Sequence, residues 1–182
     1  MTSKYAADAR KSKLQKRLGK TEGSLRDRAI RLITAFADQK QSMIATKQRR
    51  PEVQVLGALA GYLASAAPDI KVIIEPSLSA VSYERGDMLL ELGGDKILIE
   101  MKRDHIAAKD LYSAVTQVEH YLLVSGLRDG LIYFYSDEPS ELQKEDHALP
   151  RMGAHITVLR PRKTKLKNVL PCVAHLRRVH ER

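Results

Sequence analysis

Residues 86–102 read GDMLLELGGDKILIEMK, from Gly86 to Lys102. Two short runs rich in Leu and Ile, MLLEL and KILIEMK, flank Gly93-Gly94-Asp95. Glycine pairs at this position form tight turns between antiparallel strands, so the stretch predicts a β-hairpin. Alternate residues of a strand share a face. Glu100 and Lys102 therefore point one way, and Ile97, Ile99 and Met101 point the other way, into a core. A turn at Gly93-Gly94 brings Asp87, at the start of the first strand, opposite the Glu100–Lys102 end of the second. Two carboxylates and one ammonium then converge at one end of a ribbon.

Oxygen donors of this kind suit a hard divalent cation such as Mg²⁺ (or Mn²⁺), which keeps several waters and takes one or two carboxylates from protein. The expected metal ligands are Asp87, Glu100 and the backbone carbonyl of Met101. Such an ion polarises a phosphoryl oxygen and acidifies water. Lys102 is then placed to orient that water or to offset charge that develops on a phosphate.

Asp87, a twelve-residue gap, then Glu100-x-Lys102 resembles the core motif of the PD-(D/E)XK nucleases, with Gly86 where that motif has Pro. The resemblance implies that Asp87 and Glu100 hold metal and that Lys102 assists the attacking water. It also implies a role for Glu52, the acid on the first core helix, in completing the site. Gln117-Val-Glu-His-Tyr121 is similar to the QxxxY motif of RecB-type members, which implies that Gln117 supports the lysine or the nucleic acid and that Tyr121 supports Gln117.

The flanking sequence predicts the elements around this hairpin. A helix starts at Ser24, with Ser24 as cap and Asp27 three residues on, and its stripe is Leu25, Ala29, Leu32, Ile33, Phe36 and Ala37. Arg26, Arg28 and Arg31 sit largely off that stripe, on a face available to DNA. Pro51 starts a second helix, a position proline tolerates. Its stripe is Leu56, Leu59 and Leu63, and Pro68 ends it. Lys71–Glu75 is a first strand, with Glu75 at its end a lesser candidate ligand, read first as an edge charge. AAKDLYSAVTQVEHYLLVSG is a helix on which Leu111, Val115, Val118 and Leu122 face the core. Strands follow at 130–136 and 155–159, joined by an Asp/Glu-rich loop at 137–146. A short helix is expected at 169–179.

The expected fold is thus α/β: a mixed sheet flanked by helices, with a restriction-endonuclease-like αβββαβ core over residues 51–159. A basic arm and helical extension occupies 1–50, and a basic tail 160–182. As an appendage, residues 1–46 would be dispensable for chemistry in the core.

Charge follows the same partition. Residues 1–50 hold 14 Lys/Arg and 4 Asp/Glu, the tail from Arg160 holds 8 and 1, and the middle holds 9 and 17. An acidic centre between basic ends suits a metal site flanked by segments that grip phosphate. The candidate nucleic-acid contacts are Arg26, Arg28, Arg31, Arg49, Arg50, Arg85, Arg103, Lys163 and Lys165. The single cysteine, Cys172, excludes an internal disulfide framework and fits a reducing cytoplasm. No apolar run reaches the length of a membrane span. The expected activity is that of a deoxyribonuclease, an endonuclease in preference to an exonuclease, with DNA as partner and RNA as a second candidate. Paired nicking would require a homodimer, and docking through the basic segments would place the chain in a larger nucleoprotein complex. The competing reading is a nucleic-acid-binding or assembly subunit of the same fold that does not cut.

Overall fold

A computed structural model describes residues 23–43, 51–79, 84–104, 108–136 and 141–162. The expected arm at 1–20, Arg49, Arg50, His105, and the tail with Lys163, Lys165, Cys172 and its helix lie outside these residues. The elements are helices α1 (Leu25–Met43), α2 (Glu52–Ala66) and α3 (Ala108–Ser125), and strands β1 (Lys71–Ile74), β2 (Met88–Leu92), β3 (Asp95–Arg103), β4 (Asp129–Tyr135), β5 (Leu142–Leu149) and β6 (Ala154–Pro161). The protein is α/β, with one six-stranded mixed sheet in the order β1-β2-β3-β4-β6-β5.

The hairpin forms as its sequence predicts. Gly93 and Gly94 both take positive φ, 59° and 98°, which a two-residue hairpin turn requires and which glycine adopts without strain. The register sets Met88 against Ile99 and Leu92 against Asp95. β1 adds to β2 antiparallel. β3 and β4 are parallel, and α3 supplies the crossover that parallel neighbours need. β4 and β6 are also parallel, and β5 closes the sheet antiparallel to β6.

Period-two alternation sorts the side chains of β3. Ile97, Ile99 and Met101 pack with α1 and α2, together with Leu131, Tyr133 and Leu159. Leu98 packs on the other face with α3, beside Ile132, Phe134, Ile156 and Val158. α3 lies close to the sheet because β4 offers Gly130, where a Cβ would stand 2.7 Å from Val118 Cγ1.

Three expectations are corrected. The segment expected as an acidic loop, 137–146, holds most of β5 in LQKEDHAL. Its backbone is satisfied by β6, so an edge strand needs little apolar surface of its own, and its charges blunt the open edge. The tail expected from Arg160 starts later, because Arg160 and Pro161 still belong to β6. Helix α1 is not an appendage: Leu25, Ala29, Leu32, Ile33, Phe36 and Ala37 are all buried in the core shared with β3 and β4. Its start is as expected. Ser24 Oγ accepts the Asp27 amide at 3.2 Å and donates to Asp27 Oδ2 at 2.7 Å. Among the described residues no helix is long and apolar enough to cross a membrane.

Candidate active site

Regular pairing of β2 and β3 stops at Met88–Ile99. Beyond it the side chain of Asp87 takes over, and Met101 donates its amide to Asp87 Oδ2 at 2.6 Å. This bond fixes the acid at the carboxyl end of β3. Gly86 before it packs closely on β3: a Cβ there would stand 2.5 Å from Leu98 Cδ1.

Glu100 and Lys102 share the α3 face of β3, and Lys102 Nζ donates to Glu100 Oε1 at 2.7 Å. Glu100 is 2% exposed, and among the described residues its second oxygen, Oε2, is buried with no hydrogen-bond partner of ordinary geometry, although the backbone amide of Asp87 is near enough to favour its carboxylate form. A buried acceptor left unpaired is costly. Glu52 sits in the first turn of α2, where the helix dipole favours an acid. Its charge acts on Lys102, and that of Asp87 acts on it.

The electrostatics describe one coupled group. Burial pushes the carboxyl of Glu100 upward, the Asp87 charge adds to this, and Lys102 opposes it. Burial likewise raises Asp87, against the Met101 amide and Lys102. Glu52 is raised by burial and then by Asp87. Burial alone would lower the Lys102 ammonium, but its bond to Glu100 and the charges of Glu100, Asp87 and Glu52 hold it above its ordinary value. The charges of Glu100, Asp87 and Glu52 thus all act on Lys102.

Glu75, the lesser candidate of the sequence, belongs near this group. It leaves β1 in the left-handed region, at φ 48°, unusual for a residue with a side chain. Its amide donates to the Asp87 carbonyl at 3.0 Å, its carboxylate stands 3.7 Å from Arg85, and its charge helps raise Asp87.

Gln117 and Tyr121 lie one turn apart on α3, and Gln117 Nε2 donates to the Tyr121 hydroxyl at 2.6 Å. Among the described residues neither is hydrogen-bonded to Glu52, Asp87, Glu100 or Lys102. His120, given no part in the sequence reading, contacts Glu84 Oε1 at 2.6 Å.

The arginines separate by environment. Arg28 is 6% exposed and holds Asp69 through both terminal nitrogens at 2.9 Å. It is a tie from α1 to the α2–β1 connection, not the DNA-facing cation expected from its place off the stripe. Arg26 bonds Asp146 at 2.9 Å and lines a cleft of about 650 Å³ with Lys96 and Arg128, at the opposite end of β3 from Glu100. Arg31 is half-buried, with two nitrogens unpartnered. Arg85 is exposed beside Glu75, and Arg103 ends β3 half-buried.

Among the described residues no three His, Cys, Asp or Glu side chains stand close enough to form a ready-made metal cluster. The donors present are therefore Asp87 and the unpartnered Oε2 of Glu100, a two-carboxylate set. No family model matches the chain, and no curated protein matches its sequence.

Proposed function

We propose that the chain is a metal-dependent nuclease of the PD-(D/E)XK type that hydrolyses phosphodiester bonds in DNA. The observation that carries this reading is Lys102 bonded to Glu100, with Asp87 held on the amide of Met101 between them and one buried oxygen of Glu100 left to accept. The order of elements supports it. Helix α2, the antiparallel β1-β2-β3, crossover α3 and parallel β4 follow the αβββαβ order that the motif resemblance implies.

Asp87 and Glu100 Oε2 would hold Mg²⁺ or Mn²⁺, with the Met101 carbonyl as a further oxygen. A hard ion that keeps its waters needs no third carboxylate. When bound, it would supply Lewis acidity toward the phosphoryl oxygen and lower the pKa of water. The protein's own groups do the rest. Lys102, held by Glu100 Oε1, orients the attacking water and offsets charge on the phosphate. The Met101 amide keeps Asp87 from rotating away. Glu52 completes the acidic lining from α2. Arg85 and Arg103 flank the site and grip phosphates of the bound strand, which makes binding salt-sensitive. Gln117 acts through its bond to Tyr121, supporting the α3 face.

The test is cleavage of labelled duplex, single-stranded and branched DNA with Mg²⁺, Mn²⁺ or EDTA, beside Lys102→Ala. Metal-dependent cleavage is expected, falling about 100-fold or more in the variant. Binding without cleavage, equal in both proteins, would replace this reading with that of a non-cutting nucleic-acid-binding subunit.

A further inference from the structure

Arg160 is a buried cation short of acceptors. It is 5% exposed. Among the described residues its one partner is Glu145, whose Oε1 accepts from Nη2, and Nε and Nη1 are buried with no hydrogen-bond partner. A guanidinium cannot shed its proton to escape this, and its fork is built to be met by two oxygens at once. Glu145 meets only one of its nitrogens.

Its place on the sheet indicates what would complete it. Val158 lies in the core on the α3 face and Leu159 in the core on the opposite face, so Arg160 returns to the α3 face. That is the face of Glu100 and Lys102. The register aligns Glu100, Ile132, Val158 and Glu145 in one row across β3, β4, β6 and β5. Two residues on, Lys102 aligns with Phe134, and Arg160 with Gln143. Arg160 is thus two strands from Lys102, about 10 Å at ordinary strand spacing. Both stand toward the carboxyl ends of parallel strands, where α/β sheets bind ligands.

We propose that Arg160 binds a phosphate of the nucleic-acid strand whose scissile phosphate lies at Lys102, and that Glu145 holds its place until the strand arrives. This rests on the nuclease reading above. A phosphate offers the several acceptor oxygens that Nε and Nη1 lack. Glu145 is the partner able to leave: its side chain is 32% exposed, against 6% for Arg160. Its other restraint on this face is slight, a 3.3 Å bond from Gln143 Nε2 to the same oxygen. Its exit uncovers the guanidinium, so binding is an exchange of carboxylate for phosphate.

The test uses the full chain and a fluorescently labelled duplex DNA, with its separate strand as a second probe, in EDTA so that nothing is cut. Affinity is measured by anisotropy over a range of salt for the wild type, Glu145→Gln, Arg160→Gln and Arg160→Lys. Removing the competing carboxylate in Glu145→Gln should tighten binding about 3- to 10-fold. Arg160→Gln should weaken it about 10-fold and lower the slope of log affinity against log salt by about one. Arg160→Lys, which keeps the charge without the fork, controls for folding and should fall between. If Glu145→Gln binds no more tightly than wild type, or weakens binding alongside Arg160→Gln at unchanged slope, the pair is only a bolt between β5 and β6 and the proposal is overturned. That result leaves metal-dependent cleavage by the wild type standing. A wild type that binds no nucleic acid overturns the nuclease reading, and this proposal with it.

Discussion

At Asp87, two demands meet on one carboxylate. One oxygen anchors the Met101 amide, while the charge stands among Glu52, Glu75 and Glu100. Burial is the chief cause of its raised pKa. A carboxyl raised in the folded state stabilises the fold fully below the ordinary carboxylate range and loses that contribution as pH rises through the raised value. Asp87→Asn keeps an oxygen for Met101 and removes the charge. It should therefore melt above the wild type at pH 7.5, with the gap closing toward pH 4, and about 2–4 °C would correspond to ~1 kcal/mol in a chain of this length. Mn²⁺ should raise the wild-type melting temperature and leave that of Asp87→Asn unmoved, since only a ligand bound to the native state stabilises it. An unchanged or lower melting point for the variant at neutral pH would show that the fold does not hold the Asp87 carboxyl raised. Asp87, Glu100 and Lys102 were legible in the sequence because a two-residue turn and a period of two fix their placement locally. Glu75 was legible only as a lesser candidate, because a positive φ at a glutamate has no sequence signature. The pairing of Arg160 with Glu145 was not legible, since it depends on registers between strands distant in sequence.

The elements were legible where apolar periodicity was strong and illegible where backbone pairing alone decides. All three helices and the apolar strands stand within a residue or two of their expected bounds. β5 escaped because LQKEDHAL buries only Leu149 fully. Its charges are used across the sheet and its surroundings, with Thr157 and Arg26 on Asp146 and Arg160 on Glu145. The contact between α3 and β4 gives a prediction at this scale. Gly130→Ala would drive a methyl to 2.7 Å from Val118 Cγ1 and 3.3 Å from Leu122 Cδ1, both buried. The helix must lift or the side chains leave their rotamers, at a cost of about 1–3 kcal/mol. Urea denaturation should show this as a lower midpoint at unchanged slope. A midpoint equal to wild type would mean that α3 is not held against β4 as described.

Taken whole, the molecule joins α1, from its basic N-terminal segment, to its acidic centre through one core. α1 covers β3 and β4 beside α2, and Arg28 fastens it to Asp69. A chain lacking residues 1–46 would strip six buried apolar side chains from one face of the sheet, each worth about 0.5–3 kcal/mol depending on size. It should show no cooperative thermal transition by circular dichroism. A truncated protein that melts sharply, within a few degrees of the full chain, would make α1 the dispensable extension that its charge pattern suggested. Composition gave the charge partition but could not show that it crosses a packed interface, because the basic residues of α1 and its apolar stripe occupy the same turns.

The change of strand sense at β3 has a consequence in time as well as in space. β2 and β3 meet through a turn of two residues, a closure that takes microseconds. β4 reaches the other side of β3 only across α3, and β6, which pairs with β5 through a connection of four residues, must still find β4. Contacts between residues far apart in sequence come at the end of such a search, after chain entropy has been lost. The ribbon that carries Asp87 and Glu100 is therefore an early object, and its joining to the ribbon that carries Arg160 a late event. Its acids wait, unsheltered, for the half of the sheet that will bury them.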